Sequence, residues 1–231
     1  MSRTSTKRGL WIALLTVVAA AVFLAPQARA EEAGWLVGKS KLTAPLSPQL
    51  KMSLDGDETL LGKVSGVKIE KLCTEAELIE AKIETEGKIS SGAKIKLSGC
   101  QIKLNGTLSK ACEPHTGAMK GVVITNGLKG QLVLHEGAGL VQLTPVSGET
   151  LMTVEMGEEC AVGEKIKVGG VLTLKDTALT TEATEHLFVE GPLTNVWFIS
   201  NTPEHKVVID GGVIISLAGE HAGLQWSGLP G

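Results

Sequence analysis

The sequence predicts an all-β fold: an antiparallel β-sandwich, or a barrel-like relative of one, of about twelve short strands stapled by disulfides. Three observations carry this. Apolar and polar residues alternate with a period of two, turn residues recur at short intervals, and the cysteines form an even set of Cys73, Cys100, Cys112 and Cys160. No segment after residue 30 sustains the period of an amphipathic helix.

The elements follow in chain order. Residues 31–58 contain Pro45, Pro48 and Gly56 with little periodicity, and read as an extended N-terminal arm or linker with one strand near 50–54. Residues 59–231 read as a single β-sandwich domain. Its clearest alternation sets Ile79, Ala81, Ile83, Thr85, Gly87 and Ile89 against Glu80, Lys82, Glu84, Glu86 and Lys88. That is a half-buried strand with a solvated charged face. Just before it, Thr74-Glu75-Ala76-Glu77 matches a helix capping box, which allows a short helical turn at 74–78. Ser91-Gly92 is a turn, after which Ala93, Ile95 and Leu97 alternate with Lys94, Lys96 and Ser98.

Asn105-Gly106, Asn126-Gly127 and Asp210-Gly211 are hairpin signals, because Asn and Gly tolerate the positive φ of primed turns. Further strands are expected at 121–125, 128–135, 140–144, 150–156 and 165–175, then at 186–189, 196–200, 207–209, 213–217 and 224–226. Residues 176–185 are polar and Thr-rich, and any subdivision of the domain would fall there. The Cys-free part beyond them is too short for a sandwich of its own, so it is expected to complete one core.

Residues 1–30 have the parts of a secretory signal peptide. Arg3, Lys7 and Arg8 form a positive start, Leu10 to Leu24 is apolar but for Thr16, and Ala28-Arg29-Ala30 offers a small-x-small cleavage site. The apolar run is shorter than the roughly 20 residues of a spanning helix. The next residue is Glu31, not Cys, so lipid attachment there has no support. No later stretch approaches membrane length. The mature chain is therefore expected to be soluble, without a transmembrane segment, and either secreted or held in the cell envelope, extracellular or periplasmic.

Every Arg lies in that signal. Taking its four basic residues from the total of 22 leaves 18 Lys against 25 acids, a formal charge of −7. An acidic, Arg-free chain suits no phosphate backbone, which excludes nucleic acid as a partner. The chain also has 0 Tyr, and the mature part keeps only Trp35, Phe188, Trp197, Phe198 and Trp226 as aromatics. An outer-membrane barrel needs aromatic girdles and an apolar outer face, and here the outward parity is Lys and Glu.

In an oxidising compartment four cysteines form two disulfides. No C-x-x-C pair or Cys/His spacing suggests zinc. Cys100 and Cys112 flank the Asn105-Gly106 turn, which favours Cys100–Cys112 with Cys73–Cys160. The alternative is Cys73–Cys100 with Cys112–Cys160. A strict two-residue turn sets Cys100 opposite Ala111, so direct pairing across it needs a bulge.

Four of the five histidines adjoin a glutamate: His135-Glu136, Glu185-His186, Glu204-His205 and Glu220-His221. His186, His205 and His221 are the metal or acid–base candidates, if they converge. Adjacent residues of a strand point to opposite faces, so the pairs are no chelating signature by themselves. No G-x-S-x-G elbow is present. Two S-x-x-K matches lack their partner motifs, and Gly34 to Ser40 falls one residue short of a phosphate loop. Asp55-Gly56-Asp57-Glu58 is a local acidic turn rather than a calcium loop. Asn105-Gly106-Thr107 is a glycosylation sequon better explained as a turn. No cofactor is implied. Trp197, Phe198 and Trp226 are the ligand-binding candidates, weighed against a role in plugging the core.

Cys73, Ser98-Gly99-Cys100, Cys112, the run Thr125-Asn126-Gly127-Leu128-Lys129-Gly130-Gln131-Leu132, Leu143-Thr144-Pro145, Cys160 and Val168-Gly169-Gly170 carry a resemblance. Over about residues 70–175 the chain resembles a group of exported, four-cysteine, β-rich bacterial proteins with no assigned activity. The resemblance implies export and β structure and transfers no catalytic residue. The expected function is that of a non-enzymatic exported β-sandwich with a structural or adhesive role at the cell envelope, acting on an envelope or extracellular partner. The alternative is a secreted module that binds a glycan or small ligand through Trp197 and Trp226.

Overall fold

Alternation builds the strands from the start of the described chain. The computed structural model describes residues 33–44, 46–136, 138–177, 183–199 and 206–229; the signal of residues 1–30 and His205 lie outside them. The first strands are β1 (Gly34–Val37), β2 (Ser40–Lys41), β3 (Gln49–Val64), β4 (Val67–Cys73), β5 (Glu75–Ile79) and β6 (Lys88–Ser98). There follow β7 (Gln101–Leu104), β8 (Thr107–Leu108), β9 (His115–Thr116), β10 (Met119–Lys120), β11 (Val123–Ile124), β12 (Leu128–His135) and β13 (Ala138–Pro145). The last are β14 (Thr150–Glu155), β15 (Lys165–Asp176), β16 (Glu185–Glu190), β17 (Asn195–Ile199), β18 (Val208–Ala218) and β19 (Trp226–Leu229). The fold is all-β, with antiparallel sheets. Among the described residues no helix is long and apolar enough to cross a membrane.

The main sheet runs in the order β11-β6-β12-β13-β15-β16-β18-β3-β4-β7-β8 and curls into a half-barrel. A small sheet, β19-β1-β2, carries Trp35 and Trp226. β4 pairs with β3 only from Glu58 onward, which leaves one edge of the first half of β3 free. Residues 81–83 pair with the start of that edge, at 48–50. The Leu50 N–H donates to the Ala81 carbonyl at 2.9 Å and the Ile83 N–H to the Pro48 carbonyl at 2.9 Å. The same segment bonds to β6, since the Ser90 N–H donates to the Lys82 carbonyl at 2.8 Å. The curl is thereby joined from β3 to β6.

The run 79–89, expected as one strand, is this connecting segment. β5 stops at Ile79, and the chain turns at Glu80 (φ 55°) and again at Glu86 (φ 60°) before β6 starts at Lys88. The alternation still reports burial: Ala81 and Ile83 are buried, and Glu80 is exposed. Residues 75–79 are strand, not a helical turn. The segment expected as an N-terminal arm is also part of the fold, with β1 pairing β19, β3 beginning at Gln49, and Trp35, Leu42, Leu50 and Met52 buried.

Only one of the three hairpin signals makes a hairpin. Asn105 (φ 49°) and Gly106 (φ 86°) join β7 to β8. Asn126-Gly127 instead lies within a run that stays on one edge of β6, between Ile124 opposite Lys96 and Leu128 opposite Ala93. Asp210-Gly211 lies inside the continuous β18, where the register against β3 shifts between Asp210 and Gly212. Gly211 has φ 126°, and a Cβ there would come within 2.9 Å of the Asp57 carbonyl oxygen. The Gly211 position is a bulge, which uses a permissive residue to bend a strand rather than reverse it; Asn126 and Gly127 both keep negative φ and carry the chain on from β11 to β12.

The disulfides are Cys73–Cys100 and Cys112–Cys160, which corrects the favoured pairing. Leu72 lies opposite Gln101 in the β4–β7 ladder, so one step further along Cys73 meets Cys100. Across the hairpin, the Ser109 N–H donates to Ile102, and then 110–112 curl into a 3-10 turn that carries Cys112 away to Cys160.

A charge lies buried beside the first disulfide. The inward parity of β4 runs Ile69, Lys71, Cys73, and Lys71 is 1% exposed. Its Nζ donates to Glu58 Oε2 at 2.6 Å and lies 3.4 Å from Cys73 Sγ. Glu58→Gln strands the buried ammonium and is expected to cost about 3–5 kcal/mol, whereas the double variant Glu58→Gln/Lys71→Met recovers most of that loss. Urea denaturation of the three proteins measures it; a double variant no more stable than the single would contradict the pairing.

Candidate functional site

The inner faces of the curled strands are mostly carbon, and they enclose two adjoining cavities. The inner one is narrow and is lined among others by Trp35, Leu50, Ala81, Ile89, Val141 and Trp226. The outer one is somewhat larger and reaches Glu58, Thr125, Glu190 and Gly211. Met52, Ile95, Leu128, Leu174 and Phe188 line both, so the two compartments share a common wall of apolar side chains.

Polar groups stand at the outer compartment. Glu58 sits in the β3 segment opposite the Gly211 bulge, is 9% exposed, and bonds Lys71 through Oε2. Its Oε1 accepts no hydrogen bond among the described residues and keeps some exposed surface. Glu190 closes β16 at the exposed rim. Loss of hydration pushes its carboxyl above the ordinary range, and although Lys206 pulls it back, Asp210 adds to the rise.

At the inner end, His186 is 0% exposed and fixes the small sheet to the main one. Its Nδ1 lies 2.6 Å from Asp176 Oδ2 and its Nε2 lies 2.5 Å from the Trp226 carbonyl oxygen. A carbonyl oxygen and an ionised carboxylate only accept, so both ring nitrogens must carry protons. Burial opposes that charge, but the hydrogen bond and charge of Asp176, with the carbonyls of Trp226 and Ala183, raise the imidazole above its ordinary value. The ring also meets Trp226 edge-on at 4.8 Å.

The candidates read from the sequence separate. Trp226 is 2% exposed and lines the inner cavity, packed 5.8 Å from Trp35. Trp197 is half-buried on β17. Phe198, on the opposite face, is buried against Gly62, where a Cβ would come within 2.4 Å of its ring. The three aromatics therefore do not form one platform. His221 is half-buried in a 3-10 turn. Among the described residues no three His, Cys, Asp or Glu gather as metal ligands. Glu185 is exposed where its neighbour His186 is buried, as alternation requires.

Glu58, Lys71 and Asp176 were not legible as a set. The one sequence signal was Lys71 itself, a lysine on the apolar parity of β4. Comparison with protein-family models, with curated proteins and with solved structures finds no match.

The raised pKa of His186 sets a pH dependence. Its contribution to stability is complete below the ordinary histidine value of 6.5 and is lost as pH rises through the higher folded value. Between these values stability is expected to fall by at most about 1.4 kcal/mol per pH unit. Melting temperature followed upward from about pH 6 checks this, with His186→Gln expected to remove the slope; an unchanged slope in that variant would assign it elsewhere.

Proposed function

We propose that the protein is an exported, non-enzymatic binding protein that takes a small, mainly apolar ligand into the interior of its curled sheet. The single observation that carries the reading is the pair of adjoining apolar cavities inside the half-barrel. Concave, mostly apolar sites with a few placed polar groups are the usual form of small-ligand sites. Binding is favoured over catalysis at the inner end because both nitrogens of His186 are engaged, leaving neither to exchange a proton with a substrate. Export, to the envelope or beyond, rests on the signal-like residues 1–30 together with two disulfides that persist in oxidising compartments.

Relative to the expectation of a surface site at Trp197 and Trp226, this reading moves the ligand indoors and keeps only Trp226. An environment-sensitive naphthalene dye tests it. The dye is expected to bind with a change in indole emission, because Trp35 and Trp226 line the inner compartment. Leu128→Trp, which fills the wall shared by both compartments, is expected to weaken binding by roughly tenfold or more. Equal dye binding by the two folded proteins would refute an interior site. No dye binding at all would favour the structural or adhesive role.

A further inference from the structure

We propose that the ligand of this interior is a cationic amphiphile, an amine on an apolar body, whose head is held by Glu58 with Glu190 at the rim. The inference rests on the interior-binding reading and adds the chemistry of the ligand's polar end.

Glu58 is a charged side chain buried among carbon, yet only one of its two carboxylate oxygens is occupied. Oε2 accepts from Lys71 at 2.6 Å, and Lys71 is wholly buried behind it. Oε1 is left with exposed surface in a residue that lines the outer cavity. A carboxylate oxygen only accepts, so the matching ligand group is a donor. A second acceptor oxygen, from a carboxylate or phosphate, would meet like charge.

Glu190 selects between a neutral donor and a cation. It lines the same cavity, and its carboxyl is unsettled both by lost hydration and by Asp210, with Lys206 only partly compensating. A positive head beside Glu190 relieves that repulsion, whereas a hydroxyl does not. Gly211 and Gly212 form the adjoining wall, so backbone rather than bulky side chains borders the head. The apolar body then lies along Leu128, Leu174 and Phe188 toward the inner compartment. No covalent step is involved; recognition is an ion pair at the mouth and burial behind it.

The test compares decylamine, decanol and decanoate by titration calorimetry at neutral pH with the mature protein. The amine is expected to bind roughly tenfold more tightly than the alcohol, and the carboxylate most weakly. Glu190→Gln, at an exposed position, is expected to lose part of the amine preference. Glu58→Gln/Lys71→Met, which removes the inner carboxylate without stranding an ammonium, is expected to lose the rest. In both variants alcohol binding should stay within about twofold of the original. Alcohol binding as tight as amine binding, tighter carboxylate binding, or a preference unchanged in both variants would overturn the cationic assignment while leaving an interior that binds. Failure of all three probes and of the dye would overturn the interior reading itself.

Discussion

The structure depends on the hydrogen bonds that residues 81–83 make to two strands far apart in the sheet order. Without them the start of β3 at 48–50 would lose its partner on that edge and would not be tied to β6. Unpaired edges invite association with other chains, and a segment that covers one removes that hazard. The same short segment turns Ala81 and Ile83 inward, so the seam of the curl is also part of its lining. Ala81 of this seam lines the inner cavity.

Two buried ion pairs lie at different places along this interior. His186 and Asp176 hold the carbonyl of Trp226, and with it the small sheet, against the main one. Lys71 and Glu58 sit beside the Cys73–Cys100 bridge. Buried pairs contribute little net stability relative to apolar substitutes, and their worth lies in fixing one arrangement where a purely apolar interior would accept several. Here Lys71 and Glu58 join β4 to the bulged part of β3, and His186, held on β16 by Asp176 of β15, reaches β19 through the Trp226 carbonyl. The bulge at Asp210-Gly211 supplies the remaining condition, because only the absent side chain of Gly211 lets β18 approach Asp57 and Glu58 so closely.

Long antiparallel strands were readable because one buried face imposes a period of two, and 128–135 and 165–175 were recognised almost to the residue. The misread places share one cause. Asn-Gly and Asp-Gly pairs permit positive φ without requiring it, and only the partner strand decides whether a hairpin, a bulge or a plain extended run results. Asn105-Gly106 became a turn, Asp210-Gly211 a bulge, and Asn126-Gly127 an extended run from β11 to β12. The disulfide pairing failed for a related reason, since the hairpin ladder ends at Ser109 and a 3-10 turn then carries Ala111 and Cys112 away from Cys100. At the candidate site Trp226 was legible as a rare aromatic. Glu58 was not, because nothing in an acidic turn shows that a lysine 13 residues later will meet it indoors.

By itself the sequence determined the all-β class, the inward and outward parity of runs such as 79–89 and 93–98, and the presence of two disulfides, because these follow from local alternation and an even set of cysteines. Tertiary structure alone decided which cysteines pair, which glycines bend and which reverse, that residues 81–83 join the curl, and which charges are drawn inside. Those outcomes depend on contacts between segments distant in the chain, where geometry, not residue type, selects the partner.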